Sequence, residues 1–179
     1  MAVLVLSVLI GVTLAFWATV PGAAFQEPPS EYGVKAAFLL NFTKFVDWPA
    51  DSFEKPDSPI TICILGDDPF GRTLDSMLEG ESVNGHKLAM QRIQKAPARR
   101  SCQVLFISAI EKSRSKVLKD VGPGVLSVGE YEGFLADGGI MNFVIDNRRV
   151  RFDINLAAAE RALLRVSSKL LSVARSIQR

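Results

Sequence analysis

The sequence is poor in the residues that metal and redox sites need. It has one histidine, His86, and two cysteines, Cys63 and Cys102, which are too far apart for a CxxC pair. Zinc sites need Cys and His clusters, and thiol redox catalysis favours closely spaced cysteines, so neither class has support. His86 follows the turn signal Asn84-Gly85, which predicts a solvated loop position. No serine has nucleophile-elbow spacing, and we expect no metal site, no catalytic residues and no cofactor.

An excess of charge of one sign is also missing. The chain has 21 Lys and Arg residues and 19 Asp and Glu residues, a formal net charge of +2. This near balance argues against a nucleic-acid partner, which requires a strongly basic surface. With 179 residues, of which 48% are hydrophobic, the chain can bury the core of one globular domain.

Charge is absent from the N-terminal segment, where the first charged residue is Glu27. The apolar run from Ala2 to Val20 is followed by Pro21–Ala24, which ends in the small residues that a signal peptidase accepts. We therefore predict a cleaved signal peptide over residues 1–24 and export of the protein. The basic residue that usually begins a leader is missing, which a mis-assigned start codon would explain. An uncleaved anchor is the alternative, because an apolar run of this length can span a bilayer.

The two cysteines are an even number in a chain predicted to be exported, where disulfides persist. Cys63 lies within the apolar run Ile60–Leu65, and Cys102 opens the run Cys102–Ile107. If these runs are neighbouring strands, one bridge can form. The alternative is two free, buried thiols.

Short apolar runs alternate with helical patterns from Glu31 onward. This alternation predicts a three-layer α/β fold with a mainly parallel sheet, helices on both faces and a C-terminal antiparallel hairpin. One predicted helix begins at Glu31 and ends by Trp48. Four others cover 71–78, 110–121, 156–164 and 169–177. Two predicted strands end at Leu65 and at Ile107. Four others cover 87–93, 125–128, 140–145 and 150–154. We place a linker at 25–33 and a single domain at 34–179.

The first predicted helix is apolar around more than half of its surface. Val34, Ala37, Phe38, Phe42 and Phe45 form one helical stripe, and further apolar residues lie off it. Such a helix must be covered on two sides, by the sheet and by something else. A second subunit and a neighbouring helix of the same chain are both open as the second cover.

Phosphate binding is not favoured at the predicted strand-to-helix turn Gly66–Gly71. Asp67 and Asp68 would repel a phosphate, whereas Asp68-Pro69 is typical of a helix N-cap followed by proline. We therefore predict that Asp68 caps the next helix.

Two other regions are candidates for binding. Trp48 is a large aromatic at the end of the first helix, and it is either a partner anchor or a residue that covers the core. Asp153 and Asn155 belong to a polar row on a strand, and Arg165 to Lys169 present donors at a helix start. This second region would suit an anionic small ligand or a polar partner. The alternative is ordinary salt bridging and helix capping, by Asn155 and by Ser167 or Ser168.

Taken in order, these residues resemble the YfiR-like family of bacterial periplasmic proteins. The segments that carry the resemblance are Glu31–Phe45 with Trp48-Pro49, Ile62–Gly71, Val83–Gly85, Cys102–Ile107, Gly138–Phe143, Val150–Ala159 and Ser167–Leu171. They cover nearly all of the chain after the predicted leader. The resemblance implies a periplasmic, often dimeric α/β domain that is not an enzyme and that restrains an inner-membrane diguanylate cyclase, so that cyclic di-GMP output and biofilm formation follow envelope conditions.

The resemblance also implies residue roles. It implies a Cys63–Cys102 bridge, and it places partner or ligand contacts at Trp48, Asp153, Asn155 and Arg165. Ser167 occupies a position where some members have histidine. We therefore predict a periplasmic regulator that is not an enzyme and that represses an inner-membrane signalling protein as a homodimer. The alternative is a periplasmic small-ligand sensor that signals to a sensor kinase or transporter.

Overall fold

The computed structural model describes residues 30–112 and 114–179. The predicted signal peptide and the predicted linker up to residue 29 lie outside the described residues. The helices are α1 (Glu31–Phe45), α2 (Arg72–Leu78), α3 (Arg114–Asp120), α4 (Leu156–Arg161) and α5 (Ser168–Val173). The strands are β1 (Val46–Asp47), β2 (Ile60–Leu65), β3 (Ser82–Val83), β4 (His86–Ile93), β5 (Val104–Ile107), β6 (Leu126–Gly129), β7 (Met141–Asp146), β8 (Arg149–Asn155), β9 (Arg165–Val166) and β10 (Ser176–Gln178).

Within the described residues, eight strands form the central sheet, in the order β10-β8-β7-β6-β5-β2-β4-β3. The pairs are parallel except for the β7–β8 hairpin and the short β3–β4 pair. A separate antiparallel ribbon joins β1 to β9. The predicted mainly parallel sheet with a C-terminal antiparallel hairpin is confirmed.

The core lies on both faces of this sheet, because side chains alternate along each strand. On one face, Ile62, Val104 and Leu126 pack with apolar residues of α1, α2, α4 and α5. On the other face, Leu105 and Ile107 pack with Val117 of α3. These contacts confirm the predicted three layers.

Helix α1 begins at Glu31, and the Ser30 side chain caps it by accepting a hydrogen bond from the Gly33 N–H at 3.1 Å. Its first turn therefore includes residues that the predicted boundaries gave to the linker. The helix ends at Phe45, because the chain turns into strand β1 before Trp48.

The buried face of α1 differs from the predicted stripe. Ala36, Leu39 and Phe42 are fully buried, whereas Val34 and Ala37 of the predicted stripe are only half-buried. The Phe42 ring packs against Phe152 of β8 at 5.1 Å between ring centroids. Helices α2 and α5 of the same chain flank α1 and supply part of its second cover.

Two predicted helices have different bounds in the structure. The helix predicted at 169–177 ends at Val173, and Ser176–Gln178 instead form β10, parallel to β8. The open edge of β8 offers unpaired backbone groups, which outweigh the weak helical pattern of the chain end. The helix predicted at 110–121 covers only Arg114–Asp120.

The prediction that Asp68 caps α2 is wrong. Helix α2 begins after Gly71, which has a φ of +53° and supplies no side-chain cap. The Asp68 Oδ1 instead accepts a hydrogen bond from the Phe70 N–H at 2.8 Å, while its Oδ2 accepts one from Arg92 Nε at 2.7 Å. Asp68 therefore shapes the loop and pairs with β4.

The disulfide between Cys63 and Cys102 is present, with 5.8 Å between the Cα atoms. Cys63 is in β2, and Cys102 lies just before β5, the parallel neighbour of β2. Both cysteines are buried within the core of the α3 face. The predicted bridge is confirmed, and it fastens two central strands.

Candidate functional site

The β1–β9 ribbon brings three of the predicted site residues to one edge of the domain. Asp47 lies directly opposite Arg165, and Trp48 follows Asp47 in the chain. The Ser167 N–H donates to the Phe45 carbonyl at 2.9 Å, which fixes the start of α5 beside the end of α1. Trp48, Arg165 and Ser167 therefore share an edge, which we call the tryptophan edge.

Trp48 is half-buried at this edge and fixed by a hydrogen bond. Its indole N–H donates to the Gln103 carbonyl at 3.1 Å, and its ring packs against the core. The residue therefore covers the core, one of the two roles considered from the sequence. Arg165 is exposed and is free of the ion pairs formed by the described residues.

His86 lies near Trp48, and its predicted position in a solvated loop is wrong. It is the first residue of β4 and is half-buried. Its ring stacks on Phe53 at 4.3 Å between centroids, and its Nδ1 lies 2.7 Å from the Ser58 carbonyl oxygen. The Asn84-Gly85 signal correctly marks a turn, but the strand begins immediately after it.

Asn155 and Ser167 act as helix N-caps. The Asn155 Oδ1 accepts from the Ala158 N–H at 2.9 Å, and its Nδ2 donates to the Leu135 carbonyl at 3.2 Å. The Ser167 Oγ accepts from the Leu170 N–H at 3.3 Å. Both side chains are thus engaged in local structure, as the capping alternative predicted.

Asp153 is not part of the tryptophan edge. It lies on β8 before the N-terminus of α4, whereas Arg165 of the ribbon follows the C-terminus of that helix. It is 7% exposed, and its carboxylate accepts two hydrogen bonds from Arg175, one of them from Nε at 2.8 Å. Burial alone would raise the pKa of Asp153, but the hydrogen bonds from Arg175 lower it below its ordinary value. The five predicted binding residues therefore do not form one site.

Asp153 lines a cleft of about 490 Å³, which we call the polar cleft. The cleft lies between the start of α1, the 130–136 loop and the β7–β8 hairpin. Strand β7 pairs with β6 only through Met141 and Asn142, so the rest of the hairpin extends past the end of β6 and forms one wall. The charged side chains that line the cleft are Glu31, Lys35, Glu130, Glu132, Asp153 and Arg175, and its other lining residues include Asn142, Phe143, Val144 and Ile145.

A buried ion pair forms part of the cleft floor. Lys35 is 4% exposed, and its Nζ donates to Glu31 Oε1 at 2.5 Å and to Glu130 Oε2 at 2.7 Å. Burial alone would lower the pKa of Lys35, but the hydrogen bonds to Glu130 and Glu31 outweigh it and raise the pKa. The lysine stays charged, and two carboxylates face one ammonium.

Asn142 is the other unusual residue of the floor. It is 8% exposed, and its Oδ1 has no hydrogen-bond partner within residues 30–112 and 114–179. Buried polar atoms in folded proteins are nearly always hydrogen-bonded, because an unpaired one costs about 1–3 kcal/mol. Asn142 lies directly opposite Asp153 in the β7–β8 register, so the two polar residues are neighbours.

Lys35, Glu130 and Asn142 were not predicted as site residues. Lys35 and Glu130 are 95 positions apart, and only the fold brings them together. One signal was present: Lys35 precedes Leu39 and Phe42 by one and two helical turns, on the face that the structure buries.

Tyr131 also lines the cleft. Burial, followed by the charge of Asp137, raises the pKa of Tyr131 to about 12, so the phenol at the edge of the cleft is neutral near pH 7.

Within the described part of the chain, no three His, Cys, Asp or Glu side chains are arranged to hold a metal ion. None of the helices in that part is long and apolar enough to cross a membrane.

Comparison with known proteins gives one family. The family model described as YfiR/HmsC-like matches residues 32–175, which is most of the chain. No curated protein matches the sequence significantly. The match confirms the resemblance that the ordered motifs indicated.

Proposed function

The chain belongs to the YfiR/HmsC-like family, and on that basis we propose that it is a periplasmic regulatory protein that binds and represses an inner-membrane signalling protein. The partner that this family favours is a diguanylate cyclase, so that cyclic di-GMP synthesis and biofilm formation respond to envelope conditions. Family members are regulatory rather than catalytic, and a regulator of this kind acts by stoichiometric binding. The family match over residues 32–175 is the observation that carries the proposal.

The tryptophan edge is the surface that we propose for the partner. It joins an exposed cation, Arg165, to an exposed carboxylate, Asp47, beside a half-buried indole. An aromatic flanked by charges is a common centre of a protein interface, because the ring supplies buried area and the charges supply specificity. The ribbon fixes the backbone positions of Asp47 and Arg165 relative to each other before any partner binds.

Affinity capture from solubilised inner membranes tests this proposal. The bait is the oxidised protein, and captured proteins are identified by mass spectrometry. The substitution Arg165→Glu reverses one exposed charge, so it should leave the melting temperature almost unchanged. We expect it to abolish capture of a membrane protein that carries a cyclase domain. Lys116→Glu makes the same charge change on exposed α3, across the sheet, and should capture normally.

Two outcomes would count against the proposal. If the unaltered protein recovers no inner-membrane signalling protein, the repressor function is wrong. If Arg165→Glu and the Lys116→Glu control capture the cyclase equally well, the partner binds elsewhere.

We also propose that the protein is a homodimer. On α1, Val34 and Ala37 stay half-exposed although α2 and α5 flank the helix. A second subunit would cover this apolar surface. Light scattering should give twice the chain mass, and Val34→Glu should give the monomer mass, whereas a monomer before substitution would contradict the proposal.

A further inference from the structure

We propose that the polar cleft binds a small organic ammonium compound, a molecule with at least one N–H donor and a short apolar part. This site is separate from the tryptophan edge, so it does not depend on the identity of the partner protein. It would allow a dissolved metabolite to act on the regulator.

The first step of the inference concerns the unpaired acceptor. The cleft floor contains Lys35, Asn142 and Asp153, all more than nine-tenths buried. Lys35 is hydrogen-bonded to Glu31 and Glu130, and Asp153 to Arg175, whereas the Asn142 Oδ1 has no partner among the described residues. Asn142 lines the cleft although its Oδ1 is covered from solvent, so a donor bound in the cleft can complete this acceptor after a small rotation of the amide group.

The second step concerns charge. The lining includes four acidic side chains, Glu31, Glu130, Glu132 and Asp153, against two basic ones, Lys35 and Arg175. The Lys35 ammonium is shared by the carboxylates of Glu31 and Glu130. Glu132 is exposed and forms no ion pair with the described residues. The cleft therefore has an excess of negative charge, which attracts cations and repels anions.

The third step concerns size and shape. A volume of about 490 Å³ fits a small metabolite. Val144 and the exposed Ile145, on the projecting hairpin, line the same cleft and can contact a hydrocarbon group. A charged head near Asn142 and Glu132, with an apolar part against the hairpin, uses both kinds of lining.

Calorimetric titration of the protein, isolated from cells that express the full chain, tests the proposal. The probes are 2-phenylethylammonium and butane-1,4-diammonium, and 3-phenylpropionate is the anionic counterpart of similar shape. We expect a Kd on the order of 1 mM or tighter for at least one ammonium probe, as suits ligands of this size. We expect no measurable binding of 3-phenylpropionate.

Two variants locate the binding. Asn142→Leu removes the unpaired acceptor at similar volume, so it should weaken binding about tenfold or more while the melting temperature stays equal or rises. Glu132→Gln should weaken binding about threefold and reduce its salt dependence. Glu79→Gln, an exposed residue at the end of α2, is the matched control and should bind normally.

The results separate the possibilities. Binding of an ammonium probe that Asn142→Leu and Glu132→Gln weaken, and that Glu79→Gln does not, supports the site. The proposal is overturned if neither ammonium probe binds, if 3-phenylpropionate binds equally well, or if Asn142→Leu keeps full affinity. A melting temperature that falls sharply in Asn142→Leu, without any probe binding to the unaltered protein, would make Asn142 structural.

Discussion

Reduction of the Cys63–Cys102 disulfide should destabilise the domain by an amount that follows from the chain. The bridge joins residues 39 positions apart, and the chain-entropy relation gives about 4 kcal/mol for a loop of this length. Both cysteines are almost fully buried, at 0% and 1% exposure, so the free thiols would keep most of their packing contacts. The loss should come mainly from the greater freedom of the unfolded chain.

Urea unfolding with and without a reductant measures this difference. A loss of about 4 kcal/mol lowers the ratio of folded to unfolded molecules by roughly a thousandfold and the Tm by about 10 °C. The dependence of the unfolding free energy on urea should also increase, because the reduced unfolded chain exposes more surface.

The double variant Cys63→Ala/Cys102→Ala is the control. It should resemble the reduced protein and should not respond to the reductant. A difference below about 1 kcal/mol between the oxidised and reduced protein would refute the reasoning, because it would show that the loop is already restricted in the unfolded state.

Two further predictions concern the charged residues of the cleft. Lys35→Met leaves the buried Glu130 carboxylate without its cation and should lower the unfolding free energy by about 3–5 kcal/mol. The double variant Lys35→Met/Glu130→Gln should restore part of this loss. Additive losses in the double-mutant cycle would contradict the pairing. Asp153→Asn should cost about 2 kcal/mol at pH 7 because it weakens the bond to Arg175. The pKa of Asp153 is lowered in the folded state, so the stability difference between the unaltered protein and Asp153→Asn should be complete above about pH 4. It should vanish as the pH falls through the folded pKa. A stability difference that stays constant down to the lowest pH would contradict this prediction.

Much of the fold could be predicted because local pattern and tertiary structure agree. The hairpin formed by β7 and β8 follows from two apolar runs around Asn147, whose φ of +48° matches the turn that asparagine favours. The cap at Asn155 follows from residue type and position alone, and the same reasoning narrows the cap of α5 to Ser167 or Ser168, of which the structure uses Ser167. In these places a few consecutive residues decide the structure.

The errors arise where a distant partner decides the structure. Ser176–Gln178 is a strand because β8 is beside it, and Arg175 is held there by Asp153. Asp68 does not cap α2 because Arg92, on β4, binds its carboxylate. The polar cleft was not predicted for the same reason, since its residues come from α1, a loop and the hairpin.

The position of α1 also has a consequence for how the chain folds. This first helix packs against β8 and α5, and Phe42 meets Phe152 near the other end of the sequence. Pairings between distant segments form slowly, because a long loop must close before they contribute. The first helix can reach its final packing only after nearly all of the domain has been synthesised. A chain cut before β8 would leave the helix's apolar face without its partners and open to aggregation.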